Sequence, residues 1–322
     1  IKKLFMRIVY FGTPEFAVAP LQKLCNAGVD VLSVVTAPDK PAGRGKKLKT
    51  SAVKDFALKT EIPVLQPNNL KDESFIFRLK NLNADLFIVV AFRMLPAEVW
   101  KIPNLGTFNL HASLLPNYRG AAPINWAIIN GETKTGLTTF FIEQSIDTGE
   151  IILQKETNIY SNENAGSLHD RLMNIGADLV LETVKLISKN KVVGKPQELY
   201  IDEKSKLKLA PKIYKEDTKI NWNSPVKEIY NKIRGLSPYP CAFTNFYPDN
   251  NTAINIKIFD ADYLFDHNVH KHGIVDTDGK KYFKIACTDG WILVKEIQQQ
   301  GKKRLPIKAF LSGFNFDSGF CK

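Results

Sequence analysis

Apolar and polar positions along the first 190 residues switch between strand-like runs and helix-like stretches. Residues 7–11 (RIVYF) read as a short strand. Gly12 follows, then Thr13, Pro14 and Glu15. Thr13 suits an N-cap, Pro14 the first helical position and Glu15 the positive end of the helix dipole. A helix over 14–27 is therefore predicted, stopped at Gly28, with a second strand at 29–36. This βαβ opening predicts a right-handed crossover in a parallel sheet. The alternation continues with helix 51–59, strand 63–65, helix 74–82 and strand 85–91. The last is a continuous apolar run, as expected of a central strand buried on both faces. A helical turn at 96–100, a strand at 106–110, a helix at 122–130 and strands at 135–142 and 151–156 come next. A long amphipathic helix over 167–188 closes the series, with Leu168, Leu172, Ile175, Leu179, Val184 and Ile187 near 3.6 spacing. Residues 1–190 thus read as one α/β domain with a doubly wound, mostly parallel sheet of Rossmann-like type.

Two stretches break the pattern. Residues 37–49 (APDKPAGRGKKLK) hold prolines, glycines and basic residues with no apolar period, and read as an exposed loop. Residues 191–218 dissolve into Lys, Pro and isolated apolars, a linker with some extended structure. Beyond it, a helix over 226–235 leads into short β-rich runs at 242–247, 253–261, 272–276, 282–286 and 291–298. Separated by Gly, Asp and Asn turns, these predict a small OB-like β-barrel domain over 219–322.

Composition narrows the class. Hydrophobic residues make up 44% and charged residues 24% of the 322, ordinary for a soluble globular protein. The longest apolar runs, such as 86–92, are under half a membrane span, so no membrane association is expected. The start meets Gly12 and Pro14 too soon for a signal peptide, which points to the cytoplasm. Met6 begins a good strand, and the residues before it read as an upstream extension. Cys25, Cys241, Cys287 and Cys321 show no CxxC spacing, which argues against a disulfide framework or structural zinc.

The net charge is +11. Residues 191–322 carry 22 basic and 15 acidic residues, an excess of 7, so the last two-fifths of the chain holds most of it. A polyanionic partner and a Lys-rich solvated surface both explain this.

Candidate chemistry lies where ligands meet open α/β sheets, at the carboxyl ends of strands. In an extended segment alternate residues share a face, so Asn109, His111 and Ser113 point together, with Phe108, Leu110 and Ala112 opposite. That polar face is either a site or an ordinary polar strand end with His111 tied to a backbone carbonyl. Arg119, in the turn 116–123, reads as fixing its loop by pairing with a carboxylate. Asp147-Thr148-Gly149 is a turn between strands; its aspartate either bonds local N–H groups or is placed against His111. Gly43-Arg44-Gly45-Lys46 lacks Walker spacing, no G-x-G-x-x-G follows Gly12, and His267, His270 and His272 read as a surface turn.

Asn-x-His followed by Ser-Leu-Leu-Pro, with Asp-Thr-Gly downstream, resembles the folate-dependent formyltransferases. Residues 6–18 (MRIVYFGTPEFAV), 38–48 (PDKPAGRGKKL) and 116–123 (PNYRGAAP) resemble the branch that formylates methionyl-tRNA. The resemblance continues more weakly through 211–220, 234–242 and 301–303. It implies transfer of a formyl group from 10-formyltetrahydrofolate to the α-amino group of initiator methionyl-tRNA, by a monomer and without a metal. It implies catalytic roles for Asn109, His111 and Asp147: the first two on the oxyanion, and Asp147 behind His111, keeping the ring charged. It implies folate contacts from Ser113, Leu114, Leu115 and Pro116. Arg44, Lys46, Lys47 and Lys49 would contact the tRNA, helped by the C-terminal barrel. One departure stands out: the family usually reads Ala-Tyr-Gly where this chain has Ala91-Phe92-Arg93, so Arg93 replaces a small residue near the expected pterin pocket. A formyltransferase acting on a small amine, and a non-catalytic RNA-binding protein, are the competing expectations. The basic loop and basic domain argue against the first, and the presence together of Asn109, His111 and Asp147 against the second.

Overall fold

Strand β1 (Arg7–Gly12) lies inside the first sheet, and every residue after Arg7 is buried. The computed structural model describes residues 6–42, 47–201, 206–248, 253–266, 271–313 and 319–322. The chain divides into two compact units: residues 1–120, 135–157 and 169–209 form the first, and 121–134, 158–168 and 210–322 the second.

After β1 come α1 (Val18–Asn26), β2 (Asp30–Val35), β3 (Lys40–Ala42), β4 (Lys47–Lys49), α2 (Ala52–Lys59), β5 (Val64–Leu65), α3 (Glu73–Asn81), β6 (Leu86–Val90), α4 (Ala97–Trp100) and β7 (Thr107–His111). Then follow β8 (Arg119–Gly120), α5 (Pro123–Ile129), β9 (Lys134–Phe141), β10 (Ile151–Asn158) and α6 (Ala165–Ile187). The main sheet runs β10-β9-β7-β6-β1-β2-β5. The pairs β5–β2, β2–β1, β1–β6 and β6–β7 are parallel, and β7–β9 is antiparallel. Chain order reverses between β1 and β6, as a doubly wound sheet requires.

The central strands are buried on both faces. Val9, Phe11, Phe87 and Val89 join Phe75, Leu79 and Val99 of α3 and α4 in one core cluster. Ile8, Tyr10, Leu86 and Ile88 alternate with them along the strands and are equally buried. Helix α6 comes close to β7 and β9 at Gly176, where an added Cβ would sit 2.8 Å from Leu110 Cδ2.

Two expectations are corrected here. The helix predicted from residue 14 opens as a 3-10 turn, Glu15–Ala17, and Thr13 caps nothing; the capping position is Pro14, with no side-chain bond. The buried Tyr10 hydroxyl donates to the Ala17 carbonyl at 2.7 Å, so a side chain serves that oxygen. The stretch read as a loop at 37–49 contains an antiparallel hairpin, with Lys40 opposite Lys49 and Pro41 opposite Leu48. Its root is tied down: Asp39 accepts from Lys54 Nζ at 2.5 Å and from Gln66 Nε2 at 2.8 Å.

The stretch 191–218 carries 3-10 turns at Gln197–Tyr200 and Glu216–Thr218 and the two-residue strand β11 (Leu209–Ala210), which pairs with β8. The second unit continues with α7 (Val226–Leu236), β12 (Ala242–Tyr247), β13 (Ile254–Phe265), β14 (Ile274–Thr277), β15 (Phe283–Ala286), β16 (Gly290–Gln299), β17 (Arg304–Pro306), α8 (Ile307–Ser312) and β18 (Gly319–Cys321). Strands β13, β12, β18, β14, β15 and β16 pair in that order, and β13 pairs back onto β16, so six antiparallel strands close a barrel. Closure removes the sheet edges. Register shifts around Asp260 in β13 give the bend that closure demands. The interior is filled by Phe246, Ile256, Ile258, Phe283, Ile285 and Ile292, with Val226, Ile229, Ile233 and Leu236 from one face of α7.

Candidate functional site

Asn109 and His111 lie in β7, one strand beyond the reversal of chain order, and Ser113 follows the strand. Asn109 lies between Val89 of β6 and Phe140 of β9. Its side chain is half-buried and has no hydrogen-bond partner among the described residues. A carboxamide so placed offers its N–H groups to a ligand.

His111 is 6% exposed. Its Nε2 lies 2.8 Å from the Tyr118 carbonyl, and since a carbonyl only accepts, Nε2 carries a proton. Nδ1 lies 3.8 Å from Asp147 Oδ2, too long for a direct hydrogen bond but within ion-pair reach. Both ring nitrogens therefore face oxygens. Neither points at an open position: Nε2 must leave the Tyr118 carbonyl before it can serve a substrate.

Asp147 occupies the left-handed region at φ +54°. Aspartate tolerates this better than most residues, at a cost of roughly 1–2 kcal/mol. Its Oδ2 accepts the Gly120 backbone N–H at 2.9 Å. Gln197 Nε2 donates to the Asp147 and Gly149 carbonyls, each at 2.9 Å. These two hydrogen bonds, at about 1 kcal/mol each, offset the backbone cost. Gly149 is required sterically, because a Cβ there would lie 1.8 Å from the Phe141 carbonyl oxygen.

The structure thus brings Asp147 to His111 and leaves Asn109 beside them on β7. Of the residues expected to touch folate, Ser113, Leu115 and Pro116 are buried and Leu114 is half-exposed. Ser113 Oγ donates to the Asn117 carbonyl at 2.7 Å, so this hydroxyl is spent within its own turn. The Ser113 carbonyl accepts from Thr138 Oγ1, and Gln154 Nε2 donates to the Leu115 carbonyl at 2.8 Å, which fixes the turn against β9 and β10.

Arg119 has an amide partner instead of the expected carboxylate. Its Nε and Nη2 donate to Gln197 Oε1 at 3.1 and 2.6 Å. Arg93 turns its guanidinium onto the loop after β5, donating to the Asn68 carbonyl at 2.9 Å and to that of Pro67. Of the expected tRNA contacts, Arg44 and Lys46 lie outside the described residues. Lys47 and Lys49 are in β4, and Lys49 is exposed. His267 and His270 also lie outside the described residues, while His272 Nδ1 is 2.9 Å from Asn223 Oδ1.

The sequence profile of the formyl transferase family matches residues 6–184, and that of the formyl transferase C-terminal domain matches 212–315. The chain belongs to the formyl transferase family. Among its relatives, the methionyl-tRNA formyltransferase of Bacteroides thetaiotaomicron is 51% identical over 320 residues, covering 99% of both chains. That of Flavobacterium johnsoniae is 54% identical over 311 residues, covering 97% of both. Among solved structures, WlaRD, a sugar 3N-formyl transferase crystallised with dTDP and 5-N-formyl-THF, superposes with a TM-score of 0.64 at 23% identity, covering 92% of this chain and 99% of its own. HypX from Aquifex aeolicus gives 0.63 at 18% identity, covering 97% of this chain and 49% of its own. These likenesses concern the fold.

Three parts of this formyl transferase site escaped the sequence reading: Gln197, the Tyr118 carbonyl and the Gly120 N–H. The last two are backbone groups, which every residue carries and no motif marks. Gln197 lies 50 residues beyond Asp147, in a stretch without periodicity.

Proposed function

We propose that this formyl transferase moves a formyl group from 10-formyltetrahydrofolate to the α-amino group of methionyl-initiator tRNA, giving N-formylmethionyl-tRNA. The observation that carries the reading is identity of 51% over 320 residues to a protein named for that reaction, a match that runs through both units. The net charge of +11 suits a polyanionic acceptor.

Bound folate supplies the formyl carbon; the other tasks fall to the chain. A new N–C bond forms as the amine attacks, the bond from the formyl carbon to the folate nitrogen breaks, and the amine proton ends on that nitrogen. The Asn109 carboxamide donates to the formyl oxygen as charge develops there. His111, released from the Tyr118 carbonyl, is the second donor. Asp147 orients the ring and passes the amine proton through water. Leu114 and the backbone of 113–116 line the folate side. Arg44, Lys46, Lys47 and Lys49 hold the tRNA by its phosphates, together with the barrel. The reading includes action as a monomer in the cytoplasm; among the described residues no helix is long and apolar enough to cross a membrane.

The test is a formylation assay with purified protein and 10-formyltetrahydrofolate. Charged initiator tRNA should be formylated faster than charged elongator methionyl-tRNA. Amino-sugar nucleotides and glycinamide ribonucleotide should not react. Transfer to a small amine but not to the tRNA would overturn the acceptor, and no transfer at all would overturn the enzyme.

A further inference from the structure

One short segment contacts both His111 and Asp147. The Tyr118 carbonyl meets His111 Nε2, and two residues on, the Gly120 N–H meets Asp147 Oδ2. Between them, Arg119 reaches away to Gln197, whose amide returns to the backbone of Asp147 and Gly149. The circuit is closed: residues 118–120 hold the Asp147 carboxylate directly and its backbone through Gln197. Tyr118 is itself held, since its N–H donates to the Lys208 carbonyl at 2.6 Å and the Lys208 N–H to Asn117 Oδ1 at 3.1 Å.

The Gln197 side chain fills all its hydrogen-bonding positions here. It is 1% exposed. Its oxygen faces only N–H donors of Arg119, and its nitrogen faces only carbonyl oxygens. Two N–H groups are given and two lone pairs filled, the full capacity of a carboxamide. The amide orientation is thereby forced, because the flipped form would set nitrogen against guanidinium and oxygen against two carbonyls. Glutamate would satisfy Arg119 but turn an oxygen toward the two carbonyls.

We infer that Gln197 is a positioning residue of the formyl-transfer site, holding the left-handed turn that aims the Asp147 carboxylate at His111, with Arg119 clamping Gln197 in the required orientation. This rests on the proposed roles of Asp147 and His111.

The test is a double-mutant cycle of Gln197→Glu and Asp147→Asn, read as kcat and KM in the formylation assay, with folding followed by circular dichroism. Gln197→Glu should lower kcat about 10–100-fold, as expected for a catalytic group displaced by a fraction of an ångström, and leave the folate KM within about twofold. In the Asp147→Asn background the same change should cost less than about twofold, because groups that act as a unit do not add. An equal loss in both backgrounds would assign Gln197 to general support of the fold and overturn the inference. So would an unchanged kcat in folded Gln197→Glu, with the reading of the site left standing if Asp147→Asn is impaired. Full turnover by Asp147→Asn alone would overturn the site reading and the inference together. If Gln197→Glu does not fold, Arg119→Lys keeps the charge but loses the fork, and should show the same kcat-only, background-dependent loss at about fivefold. A loss independent of background, or no loss, overturns the inference there too.

Discussion

The Asp147 turn and the hairpin at 40–49 are built on opposite principles. At the turn, the Asp147 carboxylate, its carbonyl and the Gly149 carbonyl each have a defined donor, and the carboxylate faces a buried histidine. In the hairpin, the root is held by Lys54, Asp39 and Gln66, and Lys40 sits directly opposite Lys49. Like charges across a strand pair oppose each other, so the hairpin's own chemistry does not favour its pairing. The two proposed tasks differ in the same sense. Chemistry on a small group depends on donors held within tenths of an ångström before the substrate arrives. Attraction of a polyanion depends on charge density and tolerates motion.

Substitutions should separate the two regions, and the turn should yield the largest effects. Asp147→Asn keeps the shape and the Gly120 bond but removes the charge facing His111. Its kcat should fall about 10²–10⁴-fold with folate affinity little changed, measured by steady-state formylation and folate titration. Near-normal turnover would sink the assignment. Asn109→Ala should come next, at about 10²–10³-fold in kcat, since it removes one donor to the developing charge. A change confined to KM would make Asn109 a binding group instead. The hairpin should respond differently. Lys47→Ala with Lys49→Ala should lower kcat/KM for charged tRNA, hold kcat at saturating tRNA, and flatten the salt dependence of binding by about two phosphate contacts. A salt slope equal to that of the parent protein would exclude both lysines from the interface.

The smallest effect concerns groups that belong to neither region. Burial pushes the Cys241 and Cys287 thiols up to about 12 and the Cys321 thiol higher still. The thiolate is the reactive form, so an alkylating reagent at pH 8 should leave these three unlabelled in the folded protein. Cys25 is half-buried and its thiol is raised less, so it should label slowly. Mass spectrometry of intact protein would show one adduct before unfolding and four after it. Rapid native labelling of a barrel cysteine would mean that the barrel opens readily.

Much of the fold was legible because its period is local. A parallel strand such as Leu86–Val90 is apolar at every position, and the stripe on α6 repeats every turn. What failed to show was pairing that depends on other parts of the chain. The hairpin at 40–49 was hidden by prolines and lysines that individually disfavour a strand. The barrel's sixth strand, β18, is three residues long, too short to show a period. In the site, Asn109 and His111 could be grouped by strand alternation alone. Asp147 stayed one of two readings until the resemblance to a family favoured it, since an aspartate before Thr-Gly is also an ordinary turn.

By itself, then, the sequence determined most of the order of elements, the doubly wound sheet, the barrel class and the face on which Asn109 and His111 stand. These follow from side-chain periodicity and turn residues, which act over a few positions. Only the tertiary structure decided that Asp147 faces His111 at 3.8 Å, that the Tyr118 carbonyl occupies the ring's other nitrogen, and that Gln197 and Arg119 hold the turn. Those contacts join segments tens of residues apart, several of them through backbone atoms, and depend on where the packed sheet and its connections bring the chain together.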